Sequence, residues 1–392
     1  MRHAGRVAIA CLACLLPRIL TMPASAESPL EGKARLEALS FSDLAGWPDD
    51  DHGEAFRAFL RSCRALEAQA AELRPAKTPD PDLLTVCRDA LTTPALSGAE
   101  ARGFFETRFQ PFAVIPVSGE GFLTGYYEPE FEGSRELGAS FRVPLLDRPD
   151  DLVTIPQGET LPGLDPVLQA ARRTPDGYEP YPDRAAIESG ALGARAKPVV
   201  YLREPAQAFI IHVQGSARIR LADGSVMRVA YAGRNGRPYT SIGPLLVQRG
   251  EMDLESMTLE KLMGWLKDHP GPARDLMRQN LSYIFFREAT ELAPGDGPIG
   301  GAGTPLVPSR SLAVDRTLWP YGLPFWLEGE LPLTLTEAEP LRRLMIAQDT
   351  GSAIVGPARG DFFFGSGPEA GTRAGLLRHR TRFVVLKPRT TP

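Results

Sequence analysis

From about Gly121 to Tyr231 the chain is cut by Pro and Gly every few residues, which leaves no room for a long helix. Between the cuts lie short runs rich in β-branched and aromatic residues, the composition of strands joined by turns. Ile219 to Leu221 and Val226 to Tyr231 read as a hairpin closed through Asp223-Gly224. Phe209-Ile210-Ile211-His212-Val213 reads as a further strand. Leu341 to Ala347 and Phe383 to Lys387 are the clearest strands of the C-terminal part. The Pro-, Gly- and Asp-rich stretch from Arg148 to Ala196 reads as loops with one short helix near Val167 to Arg172.

Helical periodicity is confined mainly to residues 30 to 112. Ser97-Gly98-Ala99-Glu100 is a capping box ahead of Phe104, Phe105 and Phe109, with Pro111 as the stop. Leu259, Leu262, Met263 and Leu266 form a later stripe ended by Pro270. Gly295 to Gly303 is a glycine-rich loop without the Gly-Lys-Ser/Thr of a phosphate loop. The chain therefore reads as mainly β with N-terminal helices, and 392 residues exceed a typical single domain, so two lobes are expected.

The first residues read as an export signal over residues 1–26. Arg2 and Arg6 precede the apolar run Val7 to Leu16, and Ala24-Ser25-Ala26 offers a cleavage site. That run is too short to span a bilayer. Losing Arg2, Arg6 and Arg18 moves the formal charge from −4 to −7. An acidic exported chain is a poor match to nucleic acid, whose affinity rests on basic phosphate contacts. Cleavage leaves Cys63 and Cys87, each on a helical stripe. Oxidising surroundings favour a disulfide between them over two buried thiols, and either state is structural.

The chemistry of the chain concentrates in carboxylates. His52, His212, His269 and His379 show neither i, i+4 spacing nor cysteine neighbours, so no metal and no cofactor is expected. A serine triad lacks its Gly-x-Ser-x-Gly elbow. His212 reads as a core or groove histidine. Asp349-Thr350-Gly351-Ser352 has the form of an aspartic-protease motif, but the second Asp-Thr-Gly that such an enzyme needs is missing. Asp315, Asp349 and Asp361 remain, all in turns between apolar runs. Phe362, Phe363 and Phe364 next to Asp361, with a second carboxylate nearby, are conditions that raise a carboxyl pKa and suit a general acid for glycosidic cleavage. Asp in glycine-flanked bends is also an ordinary turn residue, and spacing alone does not separate the two readings.

An ordered set of motifs carries a resemblance. It comprises Leu123-Thr124-Gly125-Tyr126-Tyr127-Glu128-Pro129, Val213-Gln214-Gly215-Ser216, Tyr231-Ala232-Gly233-Arg234-Asn235-Gly236 and Tyr239-Thr240-Ser241-Ile242-Gly243. Ser282-Tyr283-Ile284-Phe285-Phe286, Pro305-Leu306-Val307-Pro308 and the aspartate segments complete it. Together they resemble the membrane-bound lytic murein transglycosylase A (MltA) family with its C-terminal three-aspartate (3D) domain.

The resemblance implies a double-psi β-barrel domain from residues 27–125 and 232–392, a smaller β-domain inserted at 126–231, and a groove between them. It implies non-hydrolytic cleavage of the bond between N-acetylmuramic acid and N-acetylglucosamine in peptidoglycan. Asp361 falls on the family's catalytic aspartate, with Asp349 and Asp315 on its companions. Thr124, Tyr126, Tyr127, Gln214, Tyr239 and Ser241 become expected contacts to the glycan strand, which is the expected partner. Partners from the cell-wall synthesis machinery and the oligomeric state stay open. A periplasmic protein follows. Its lipid anchor is not favoured, because Cys11-Leu12-Ala13-Cys14 is a poor lipobox. The alternative is a non-catalytic peptidoglycan-binding protein on the same scaffold.

Overall fold

Three capped helices lead into the first sheet. Asp51 caps His52–Glu67 by accepting from the Glu54 amide, Asp80 caps Pro81–Thr92, and Ser97 with Glu100 closes a capping box on Gly98–Arg108. The computed structural model describes residue 30 and residues 32–94, 96–156 and 158–389. The expected signal peptide, with Cys11 and Cys14, lies outside the described residues. Among those residues, no helix is long and apolar enough to cross a membrane.

The helices bury Phe56, Phe59 and Phe105 against a nine-stranded sheet whose inner face carries Trp326, Leu344 and Val384. Cys63 and Cys87 are joined by a disulfide between the first two helices, with Cα atoms 4.9 Å apart. Reduction is expected to cost on the order of 3 kcal/mol, for a loop set by a separation of 24 residues. Thermal melting with and without reductant checks this, and an unchanged melting temperature contradicts it.

In spatial order the large sheet runs Ala34–Ala38, Phe109–Pro116, Arg382–Pro388, Pro324–Pro332, Ala338–Asp349, Ser311–Val314, Arg359–Ser366, Phe122–Glu128 and Arg378–Arg380. Two of its pairings are parallel, Ser311–Val314 with Ala338–Asp349 and Arg359–Ser366 with Phe122–Glu128. A second sheet of six strands is built from Glu130–Ser134, Val143–Leu146, Pro198–Leu202, Ser216–Arg220, Val226–Arg234 and Ile284–Glu288. It takes in residues on both sides of 231, the expected far end of the insert. The fold is mainly β with several helices.

The expected hairpin forms, Ser216–Arg220 against Val226–Arg234. Phe209–Val213 is not a strand, however. It lies in the helix Pro205–Gln214, which Pro205 opens and Gly215 ends at φ +83°. A five-residue apolar run has no period of its own, and the flanking Pro and Gly were the better guide. The helix expected near Val167–Arg172 is instead a strand, Ala170–Thr174, in a hairpin with Gly177–Pro180. The short helix of that region is Arg184–Glu188, capped by Asp183. Residues 30 to 112 are not wholly helical, since Ala34–Ala38 and Phe109–Pro116 are paired strands. Pro111 therefore sits in a strand opposite Leu386, after a helix that has already ended at Arg108. Pro270 both stops the helix Leu259–Asp268 and opens Pro270–Met277.

Candidate active site

Asp361 is not in a turn but inside the strand Arg359–Ser366, whose parallel pairing with Phe122–Glu128 sets it opposite Thr124, while Ala313 lies opposite it on the other side. Strand alternation then divides the residues around it. Phe362 and Phe364 join the helix-covered core, and Asp361 shares the opposite face with Phe363, whose ring packs 5.2 Å from that of Tyr126. Gly360 lets the strand pack closely on the core face. A Cβ there would come within 2.9 Å of the Phe383 ring and 3.0 Å of Leu312.

Asp361 and Asp349 are half-buried in a cavity of about 530 Å³. Thr124, Tyr126, Gln214, Tyr239 and Ser241 line it as well, so it draws on both sheets and on the segments between them. The Thr124 hydroxyl donates to Asp361 Oδ1 at 2.6 Å and accepts from Arg359 Nη2 at 2.8 Å. Burial raises the Asp361 pKa to about 6, Asp349 adding to the rise while Arg359 and the Thr124 hydrogen bond oppose it. Asp361 is therefore a carboxyl that holds its proton in mildly acidic solution.

Asp349 is held differently. Its Oδ1 accepts from the Gly301 amide at 2.7 Å and from its own neighbour Thr350 at 2.8 Å. Burial raises its pKa, and these amide donors work against the rise. The Tyr126 hydroxyl is buried near both aspartates without a well-aligned hydrogen bond, and burial pushes its pKa well above that of free tyrosine. Gly301 is close-packed, since a Cβ there would sit 2.4 Å from the Tyr321 hydroxyl. The glycine-rich loop thus serves a carboxylate rather than a phosphate.

Two expected site residues lie elsewhere. Asp315 is outside this cavity. Its Oδ1 accepts from the Thr317 amide and hydroxyl and its Oδ2 from the Gly356 amide at 2.7 Å, which ties down the loop after Asp349. Tyr127 follows the opposite parity from Thr124 and Tyr126. Its ring is buried with Ala370 and Ala374 and closes on Gly371, so it offers no face to the cavity. Its amide still contributes by donating to Gln214 Oε1 at 3.1 Å. Among the described residues no group of three or more His, Cys, Asp or Glu could hold a metal ion.

Sequence reasoning missed Arg359, whose link to Asp361 needs the parallel strand in place. It also placed His212 in a strand. On its helix His212 lines the cavity, buried against Tyr283 with ring centroids 4.3 Å apart and no hydrogen bond to either ring nitrogen. Burial holds its pKa well below that of free histidine, so it is a neutral imidazole.

Comparison with known proteins follows the same lines. The sequence model of the MltA specific insert domain matches residues 122–287, and that of the 3D domain matches residues 310–387. The crystal structure of a membrane-bound lytic murein transglycosylase from Agrobacterium tumefaciens is 39% identical, with a TM-score of 0.80. It covers 90% of this chain and 97% of its own. The chain belongs to the MltA family of lytic murein transglycosylases. A family member from Vibrio cholerae, membrane-bound lytic murein transglycosylase A, is 32% identical over 282 residues, which is 70% of this chain and 67% of that one. The structure of Escherichia coli MltA with bound chitohexaose is 28% identical at a TM-score of 0.58, covering 79% and 83% of the two chains. The chain is thus a member of an enzyme family, with the MltA fold.

Proposed function

We propose that this protein cleaves the β-1,4 bond between N-acetylmuramic acid and N-acetylglucosamine in peptidoglycan without water, using Asp361 alone as acid and then base. The observation that carries the proposal is the Asp361 carboxyl, of pKa about 6 and beside Asp349, in a cavity lined by hydroxyl, amide and aromatic side chains. Chitohexaose, the ligand of the Escherichia coli relative, is a β-1,4 glycan and supports reading the cavity as a glycan groove.

In the first step the Asp361 proton passes to the glycosidic oxygen, and the bond from that oxygen to muramoyl C1 breaks. The resulting carboxylate takes the proton of the muramoyl C6 hydroxyl as its oxygen bonds to C1. The product is a 1,6-anhydro ring, and Asp361 regains its proton. The nucleophile belongs to the substrate, so its proximity replaces both an enzyme nucleophile and an activated water. Burial and the Asp349 carboxyl keep the surroundings of Asp361 unfavourable to its charge. Thr124, Gln214, Tyr239 and Ser241 supply hydrogen bonds to the sugar ring substituents.

The double-psi barrel is part of this proposal, supported by the two parallel pairings in the large sheet, as is an inserted β-domain at 126–231. The relatives are named membrane-bound, which brings membrane attachment of an exported, periplasmic protein into the proposal.

The pH dependence tests the acid. Release of soluble fragments from sacculi falls as pH rises through about 6, because the proton is lost from Asp361 there. Arg359 stabilises the carboxylate, so Arg359→Gln raises the Asp361 pKa further and moves the falling limb to higher pH. A limb that stays in place, or moves down, shows that another group delivers the proton.

A further inference from the structure

A second cavity, of about 300 Å³, adjoins the first and shares Arg74, Tyr239, Thr350, Gly351, Ser352 and Ile354 with it. It is lined by four guanidinium groups, those of Arg74, Arg234, Arg237 and Arg316. Arg234 is 7% exposed, hydrogen-bonded to Ser352 and Gln169, both uncharged. Arg74 donates to the Thr350 carbonyl at 3.2 Å, Arg316 to the Pro75 carbonyl and Arg237 to the Tyr181 carbonyl at 2.9 Å. Burial and the charges of Arg74 and Arg316 hold the Arg234 pKa down at about 10.

Asp315 lines the same cavity, and Asp315, Glu72 and Asp349 act electrostatically on these arginines, but none of the three forms an ion pair with them. Asp315 has both oxygens engaged by Thr317 and Gly356. Four guanidinium groups around one lining carboxylate leave an excess of positive charge, and a planar oxyanion is the group that relieves it. Val167 and Val355, 53% and 72% exposed, add apolar surface to the same lining.

Resting on the transglycosylase reading, we infer that this second cavity binds the carboxylates of the peptide stem carried by a muramoyl residue of the bound strand. A muramoyl residue carries its stem on a lactyl group, and stems combine small apolar side chains with free carboxylates. That is the complement of arginines beside exposed valines. Because the two cavities share part of their lining, a strand seated at Asp361 brings a stem to the second one. The chain therefore selects peptide-bearing over bare glycan.

The test compares three forms of one strand preparation: with native stems, with stems removed, and with stem carboxylates converted to carboxamides. The wild-type kcat/KM is expected to favour native stems by roughly tenfold or more, with amidated stems behaving like bare strands. In Arg237→Gln/Arg316→Gln the preference falls toward one. Equal rates on native and amidated stems overturn the inference, as does a preference that survives the double substitution. Binding of the same three forms to the Asp361→Asn protein separates this from the reaction itself. The order of affinities then holds even if no form yields anhydro ends, a result that counts against the proposed chemistry alone.

Discussion

Asp361→Asn is expected to lower transglycosylase activity roughly 10³-fold or more, because one group serves both proton transfers. The same substitution is expected to stabilise the protein at high pH. The folded-state pKa of about 6 lies above that of a free aspartate, so the folded state holds the proton more tightly than the unfolded chain. The penalty of ionising Asp361 is absent below the unfolded pKa, grows as pH rises from about 4 to 6, and is constant beyond. Its plateau is on the order of 3 kcal/mol. Asn keeps an oxygen able to accept from Thr124 and removes the charge. Urea midpoints of the variant should exceed wild type at pH 8 and converge with it at pH 4. A variant less stable than wild type at pH 8 contradicts the assigned environment, and one that retains activity contradicts the assigned role.

The second large effect lies at the contact between the sheets. Glu128, 1% exposed in its side chain, ends the strand that carries Thr124 and Tyr126. It accepts from Arg218 Nε at 2.8 Å, Arg228 Nε at 3.0 Å and the Ser366 hydroxyl at 2.6 Å. Both arginines also donate to the Asp296 carbonyl, in the glycine-rich loop that supports Asp349. Glu128→Gln keeps the shape but leaves two guanidinium groups without their counter-charge, that of Arg228 buried and that of Arg218 partly so. The expected loss is about 3–5 kcal/mol in equilibrium unfolding. A double-mutant cycle with Arg228→Met should show strong coupling. A loss below about 1 kcal/mol in the single variant marks the cluster as solvated.

How much of this was legible in the sequence depended on whether the signal was local. Caps and turns were readable, since Ser97 with Glu100 and Asp223-Gly224 act within a few residues. The helix Pro205–Gln214 was not, because Phe209–Val213 is apolar apart from the buried His212 and hides its period. Asp349 and Asp361 stood out through their glycine neighbours, and the structure brings both into one cavity. The parity that turns Tyr127 inward was written in the Thr124-Gly125-Tyr126-Tyr127 alternation, yet reading it needed the orientation of that strand. The Arg359–Thr124–Asp361 chain joins residues 237 apart in sequence, and the Glu128 cluster spans a comparable distance. Contacts of that kind exist only once the parallel strand is in place.

In the proposed mechanism Asp361 directs the muramoyl C6 hydroxyl, not water, to C1. Digestion of sacculi in water enriched in heavy oxygen, followed by mass spectrometry of the released muropeptides, tests it most directly. Unlabelled products one water lighter than their reducing counterparts are expected from wild type and not from Asp361→Asn. Reducing ends that carry the heavy oxygen would contradict it.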